Sequence, residues 1–459
     1  MIQRIPLSEF PIGMNQDADI KDAYYWFKEF ISEKDWERRK NEIENYLTSI
    51  VRVSEPFSEP INEGTLLVIQ KDQIGWYLYL VHTYLFEAHK YEYYQGARVL
   101  PIFKRIGMNL DLIKDIEGIN KKIRDLFKKR TAEADAILFE ILTALLWRRN
   151  GWIVKVIEEG KSGKTPDFSV SKDNVEWQVE CKRQKKSSDY TYRETKKRQV
   201  LISGISKMLV QYNVLLDITF HVELVSLPDT YLRDVLENII PKTKTPGRIV
   251  SNFEVDIDMT FVDIFSIQEH LKINYVKMSS PQHLELIANK EIDHSSFTSG
   301  FIGNFVYVGD DNVNNLYISE IVNAFGVHCN CDASEALFAK ARDARNHIQD
   351  AIKQFTPDKD AIVHIGMETF DGPEVERVRL EKILYSMGNV DTQNNRLCWI
   401  YYHYFQSYTR SYMDWYFDET VSIATSFIKL LPPIEKTFLI IPEDEISIEN
   451  ASHWDKDLP

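Results

Sequence analysis

Residues 166–182, PDFSVSKDNVEWQVECK, constrain this chain more than any other stretch. Two runs of alternating polarity flank Lys172, Asp173 and Asn174, a polar trio that favours a tight turn. In the second run Val175, Trp177, Val179 and Cys181 fall on one face of a strand, and Glu176, Gln178, Glu180 and Lys182 fall on the other. In the first run Phe168 and Val170 oppose Asp167 and Ser169. Paired as a hairpin, the runs bring Asp167, Glu180 and Lys182 to one polar face. Two carboxylates beside a lysine suit a divalent cation and a phosphate. Mg²⁺ takes oxygen ligands at about 2.1 Å, usually one or two carboxylates, water and substrate phosphate.

Upstream, residues 131–150 read as a helix, with Thr131 at the N-cap and Glu133 and Asp135 in the first turn, where the helix dipole favours acids. Ile137, Leu138, Ile141, Leu142 and Leu145 make its apolar stripe. Glu140 sits at the edge of that stripe, near Ile137 and Ala144, where a carboxylate needs a metal-bound water or a lysine as partner. Glu133, two turns earlier, is the second choice. The helix ends at Asn150-Gly151-Trp152, and a strand follows over 153–157.

Pro166-Asp167 followed by Glu180-Cys181-Lys182, with thirteen residues from Asp167 to Glu180, resembles the signature of the PD-(D/E)XK nuclease superfamily. Phe139-Glu140 and the later Gly151 resemble its Mrr-like branch. The resemblance implies an α/β (α+β) chain built on a restriction-endonuclease-like mixed sheet flanked by helices. It implies metal-dependent phosphodiester hydrolysis with Mg²⁺ as cofactor and Mn²⁺ as its substitute. Asp167, Glu180 and the Cys181 main-chain carbonyl would hold the ion, and Glu140 would order a second metal or its waters. Lys182 would orient or deprotonate the attacking water, or stabilise charge on the phosphorane. The Cys181 thiol, on the apolar face, takes no part.

Around that unit the chain divides into a mostly helical domain over 1–128, a nuclease domain over 129–430 with an insertion about 214–333, and an acidic C-terminal tail over 431–459, peripheral from Pro442. The aromatics of 22–31 and 73–94 read as core. Lys121, Lys122, Arg124, Lys128, Lys129 and Arg130 read as a basic helix end, either solvated or turned toward nucleic acid. Beyond Lys182, the residues Arg183, Lys185, Lys186, Arg193, Lys196 and Lys197 interleave with Tyr190 and Tyr192, a pattern that suits a phosphate track with base stacking. The family places a helix and an apolar strand after its second motif strand. The helix-like 334–355 and the strand-like 361–366 are preferred for that closure over 194–212 and 216–225, which makes Gln354 a further nucleic-acid-site candidate. His328-Cys329-Asn330-Cys331 lacks a second cysteine pair and reads as structural.

A net charge of −14 argues against extensive coating by DNA and leaves room for a local basic cleft. Four cysteines suit a reducing cytoplasm. The most apolar run, 74–86, is too short for a membrane span, and Met1-Ile2-Gln3-Arg4 leads into no apolar core. The expectation is therefore a cytoplasmic, Mg-dependent endonuclease with DNA as its partner and no membrane. Bacterial defence or restriction enters only as a fold-level analogy. Without a GxxxxGK[ST] loop, any motor would be a partner ATPase; a sensor subunit or a homodimer are the other partners expected. An RNA-directed nuclease, and an inactive nucleic-acid-binding or scaffold protein on the same fold, are the alternatives.

Overall fold

The computed structural model describes residues 3–10, 15–49, 67–158, 165–184, 188–293, 295–309, 315–342, 344–357, 359–387, 396–425, 431–442 and 452–455. In chain order the strands are β1 (Gln3–Ile5), β2 (Ile153–Val156), β3 (Phe168–Lys172), β4 (Val175–Arg183), β5 (Val214–Phe220), β6 (Gly247–Ser251), β7 (Val255–Phe261), β8 (Val276–Lys277), β9 (Phe297–Val308), β10 (Leu316–Cys331), β11 (Asp360–Glu368), β12 (Arg396–Arg410) and β13 (Met413–Thr425). They form two mixed sheets. The six-stranded sheet has the order β13-β12-β11-β4-β3-β2. In it β4 pairs antiparallel with β3 and parallel with β11, and β11 pairs parallel with β12.

The β3–β4 hairpin turns on Asp173 and Asn174, at φ 50° and 65°, with Lys172 paired to Val175. Two left-handed residues in a two-residue loop match the twist of the strands they join, and Asn and Asp tolerate that conformation.

Helices α1 (Ala18–Lys28), α2 (Glu33–Ser49), α3 (Leu67–Lys71), α4 (Gln73–Phe86), α5 (Tyr93–Gly107), α6 (Leu110–Lys114), α7 (Ile119–Lys128) and α8 (Ala134–Arg149) precede β2. Phe27, Trp36, Tyr77 and Phe103 from this layer share one core with Val179 and Cys181 of β4 and Trp399 of β12. The expected boundary at residue 128 therefore crosses a continuous core. Helix α8 lies between the sheet and the outer helices, so it is buried all round from Ile137 to Trp147 rather than along one stripe. Thr131 does not cap it: its hydroxyl donates to the Lys71 carbonyl at 2.7 Å and its own carbonyl accepts from the Ile74 N–H at 3.1 Å. The C-terminus closes as expected at Gly151, with φ 79°; the Trp152 N–H reaches the Trp147 carbonyl at 3.1 Å and the Gly151 N–H that of Arg148 at 2.9 Å.

Helices α9 (Asp189–Ser203), α10 (Ser206–Tyr212), α11 (Tyr231–Leu236), α12 (Ile264–Leu271) and α13 (Pro281–Ala288) accompany the second sheet, whose order is β1-β9-β10-β5-β7-β6 with β8 on β10. The strand read at 216–225 forms only as far as Phe220, as part of β5, paired with β10 and β7 rather than with β4; a helical turn follows over Leu224–Ser226. Closure of the first sheet instead comes from the later pair. The single helix read over 334–355 is broken at Ala341 (ψ 85°) into α14 (Ser334–Lys340) and α15 (Arg345–Ile352). Ile348, Ile352 and Phe355 then pack on Ala361, Val363 and Ile365 of β11, on the face opposite α8. Helix α16 (Pro373–Met387) follows β11. Just ahead of Pro442, Ile434, Leu439 and Ile440 enter the first core, and Glu419 accepts the N–H groups of Leu439, Ile440 and Ile441 at 2.7, 2.9 and 3.3 Å. The acids expected to be peripheral beyond it lie outside the described residues, except for Asp455. No helix among the described residues is long and apolar enough to cross a membrane.

Gly366 of β11 lies directly against α8, which also packs on β4 and β2. A Cβ there would lie 2.6 Å from Cε2 of Phe139, the residue before Glu140. Gly366→Ala is expected to cost about 1–3 kcal/mol through overpacking, read as a lower urea midpoint. An unchanged midpoint would show that Phe139 can step aside and that the contact does not hold α8.

Candidate active site

The β3–β4 register pairs Phe168 with Val179, so Asp167 lies one step on, opposite Glu180, where the hairpin opens. Asp167 turns back there, and its Oδ2 accepts the Cys181 N–H at 2.8 Å. In an extended strand one residue's N–H and C=O point to the same side, so the Cys181 carbonyl faces the same gap.

The polar face of β4 is exposed at Glu176 and partly so at Lys182, but closed between them. Gln178 and Glu180 are buried, Glu180 to 2 % exposure, because the turn after α15 covers them. Gln178 Oε1 accepts the Thr356 N–H at 2.8 Å. Glu180 Oε1 accepts from Lys182 Nζ at 2.5 Å and from Gln354 Nε2 at 2.6 Å. Glu180 Oε2 is buried with no hydrogen-bond partner among the described residues. Burial, with the Asp167 carboxylate alongside, pushes the Glu180 carboxyl up to about 8 in spite of Lys182.

Glu140 reaches the same gap from α8. Its partner is Lys122 of α7, whose Nζ makes an ion pair with Glu140 Oε2 and lies 3.7 Å from Asp167 Oδ1. Burial and Asp167 push the Glu140 carboxyl up, against the pull of Lys122. Burial works against the Lys122 ammonium, but Glu140 and Asp167 outweigh it and hold its pKa above the ordinary lysine range. Of the two partners expected for Glu140, a metal-bound water or a lysine, the structure supplies the lysine. Lys122 was missed as a site residue because it reads as one of a run of basic side chains. The signal was present: Ile119, Ile123, Leu126 and Phe127 are the buried residues of α7, and Lys122 falls at helical spacing among them.

Arg183 is not on the polar face with Lys182. Its Nη2 donates to Glu368 Oε1 at 2.5 Å and its guanidinium lies 5.0 Å from the Phe405 ring centroid, so it is a buried tie rather than a phosphate contact. Lys185 and Lys186 lie outside the described residues. On α9, Arg193 and Lys196 are exposed and lie over the rings of Tyr190 and Tyr192, at 5.8 and 4.5 Å, while Lys197 pairs with Asp229. Glu133 pairs with Arg130 at 2.6 Å, away from the site. His328, Cys329 and Cys331 lie on β10; His328 Nδ1 is 3.0 Å from Asp217 Oδ1.

Among the described residues no group of three or more His, Cys, Asp or Glu side chains is disposed to hold a metal ion. Asp167 and Glu180 thus offer two carboxylates at most, which is the share that Mg²⁺ usually takes from protein. The unpartnered Glu180 Oε2 fits such an ion. So does the charge: three carboxylates (Asp167, Glu180, Glu140) face two ammonium groups (Lys122, Lys182). Comparison with protein-family models, with curated proteins and with solved structures gave no match.

A carboxyl at about 8 in the folded chain and 4.5 when unfolded binds its proton more tightly when folded. Its contribution to stability is complete below pH 4.5 and declines as pH rises toward 8. Glu180→Gln should therefore gain stability relative to the wild type across that window in EDTA, followed by urea unfolding at several pH values. A difference that stays flat from pH 4 to 9 would mean that the Glu180 carboxyl is not strained by its burial.

Proposed function

We propose that this chain is a metal-dependent phosphodiester hydrolase acting on nucleic acid, DNA foremost, on a restriction-endonuclease-like sheet. The observation that carries the reading is the buried Glu180 Oε2, left without a partner beside Lys182 and opposite Asp167 in register. The order α8, β2, β3, β4, then α15 and a parallel β11, is the order that the motif resemblance implied, and it supports the same reading.

Asp167, Glu180 and the Cys181 carbonyl would hold a divalent cation, which when bound neutralises charge on the attacking and leaving oxygens. Asp167 is pre-set for this by the Cys181 N–H. Lys182, now on Glu180 and 20 % exposed, would turn to the phosphate and stabilise charge that builds there. Gln354 keeps Glu180 oriented when Lys182 leaves. Exposed Arg193, Lys196 and Tyr192 offer phosphate contact and stacking, whereas Tyr190 is buried in the core of the second sheet. Four free, buried cysteines agree with a cytoplasmic setting. By fold-level analogy the role is defence or restriction.

Lys182→Ala should fold normally and cut hydrolysis by roughly 10²–10³, the cost typical of removing one electrostatic donor to the transition state. Extra metal should not rescue it. Asp167→Ala should fail through lost metal affinity and recover in part at high Mg²⁺. The assay is cleavage of plasmid, linear duplex, single-stranded DNA and RNA with Mg²⁺, Mn²⁺ or EDTA, alongside thermal melts. Equal cleavage by wild type and Lys182→Ala would remove Lys182 from the chemistry. Binding without cleavage on every substrate would leave the scaffold alternative.

A further inference from the structure

Lys122 enters the site from outside every segment that the motif comprises. Its helix is held on both sides. Ile119, Ile123, Leu126 and Phe127 bury it in the first core. At its N-terminus Gly118, at φ 89°, lets the chain approach so closely that a Cβ there would stand 3.0 Å from Cβ of Val156. The Glu117 carbonyl accepts the Val156 N–H at 2.9 Å, and one residue later the Ile157 N–H donates to the Asp167 carbonyl at 3.0 Å. So α7 is fastened to the strand that runs beside Asp167, and Lys122 lies one turn into it. Its side chain is 12 % exposed and that of Glu140 9 %. A charge so placed has little water to answer it, and its position is set by the two carboxylates.

We propose that Lys122 is a built-in cation of the site, occupying the space between Glu140 and Asp167 that a second divalent ion would need, so that the chain binds a single Mg²⁺ or Mn²⁺ ion on Asp167 and Glu180. The inference rests on the hydrolase reading and specifies its metal content. In two-metal sites the ions sit about 3.5–4 Å apart and each is answered by carboxylate. Here the Asp167 oxygen not held by the Cys181 N–H faces the ammonium at 3.7 Å, and Glu140 is already paired. A second divalent ion would have to displace Lys122 or sit against it, and a compact ammonium anchored by a packed helix resists both. Lys122 is thus a positioning residue: it takes up the Glu140 carboxylate and flanks Asp167, whose remaining lone pairs the single ion would share with Glu180.

The test counts Mn²⁺ on the full chain by calorimetry and by the free-ion electron paramagnetic resonance signal. Wild type should bind one ion. Lys122→Met should bind two, the second more weakly, and Lys122→Arg should bind one. Thermal melts in EDTA check that each variant is folded; if Lys122→Met is not, Lys122→Gln, which still offers Glu140 a donor, takes its place with the same expected count. Two ions on wild type, or one ion on the folded neutral variant, overturns the proposal and leaves the hydrolase reading standing. No ion on wild type overturns both.

Discussion

A carboxylate on a strand covered on both faces sets the terms for this molecule. Glu180 sits on β4, with β3 and β11 bonded to its edges, the α8 layer over one face and the turn after α15 over the other. Burying an unpaired charge is expensive, so the group must take a proton, a lysine or a metal ion. The neighbourhood supplies the second in Lys182, orients the group with Gln354, and leaves one oxygen for the third. Asp167 can add its charge because the hairpin opens opposite Glu180, where the Cys181 N–H is free of the ladder and holds the aspartate instead.

The second buried charge network keeps the helical layer in place beside that site. Arg98 of α5 donates from Nε to Glu368 at 2.8 and 3.0 Å, from Nη2 to Asp135 at 2.8 Å and from Nη1 to the Tyr77 hydroxyl at 2.7 Å. Arg183 meets the same Glu368 from β4. Five elements, α4, α5, α8 and the ends of β4 and β11, are thereby joined by charge-assisted bonds, which fix direction as well as distance. Removal of either arginine would strand a buried acid, so the network constrains where α8, and with it Glu140, can stand.

Much of this was legible where local pattern decides. The hairpin register follows from alternation and from a turn that needs two left-handed residues, both supplied at Asp173 and Asn174. The end of α8 follows from Gly151. The later helix–strand pair closes the first sheet because 361–367 is apolar at nearly every position, as a strand buried on both faces must be. What was lost lay in side chains whose type misstates their surroundings. Arg183 and Lys197 read as phosphate contacts and are held by Glu368 and Asp229, acids far away in sequence. Lys122 read as solvated or turned toward nucleic acid, and is half-buried against Glu140 and Asp167.

By itself the sequence determined the β3–β4 hairpin, the common face of Asp167, Glu180 and Lys182, and the helix that carries Glu140, since each depends on steric preferences and periodicity over a few residues. Only the tertiary structure decided that Gln178 and Glu180 are covered, that Lys122 and not solvent answers Glu140, and that helices α1, α2, α4, α5 and α7 share the core of the sheet. Those outcomes depend on which distant surfaces cover one another, because burial, and with it the strength of every charge in the site, belongs to the packing of layers rather than to any one strand or helix.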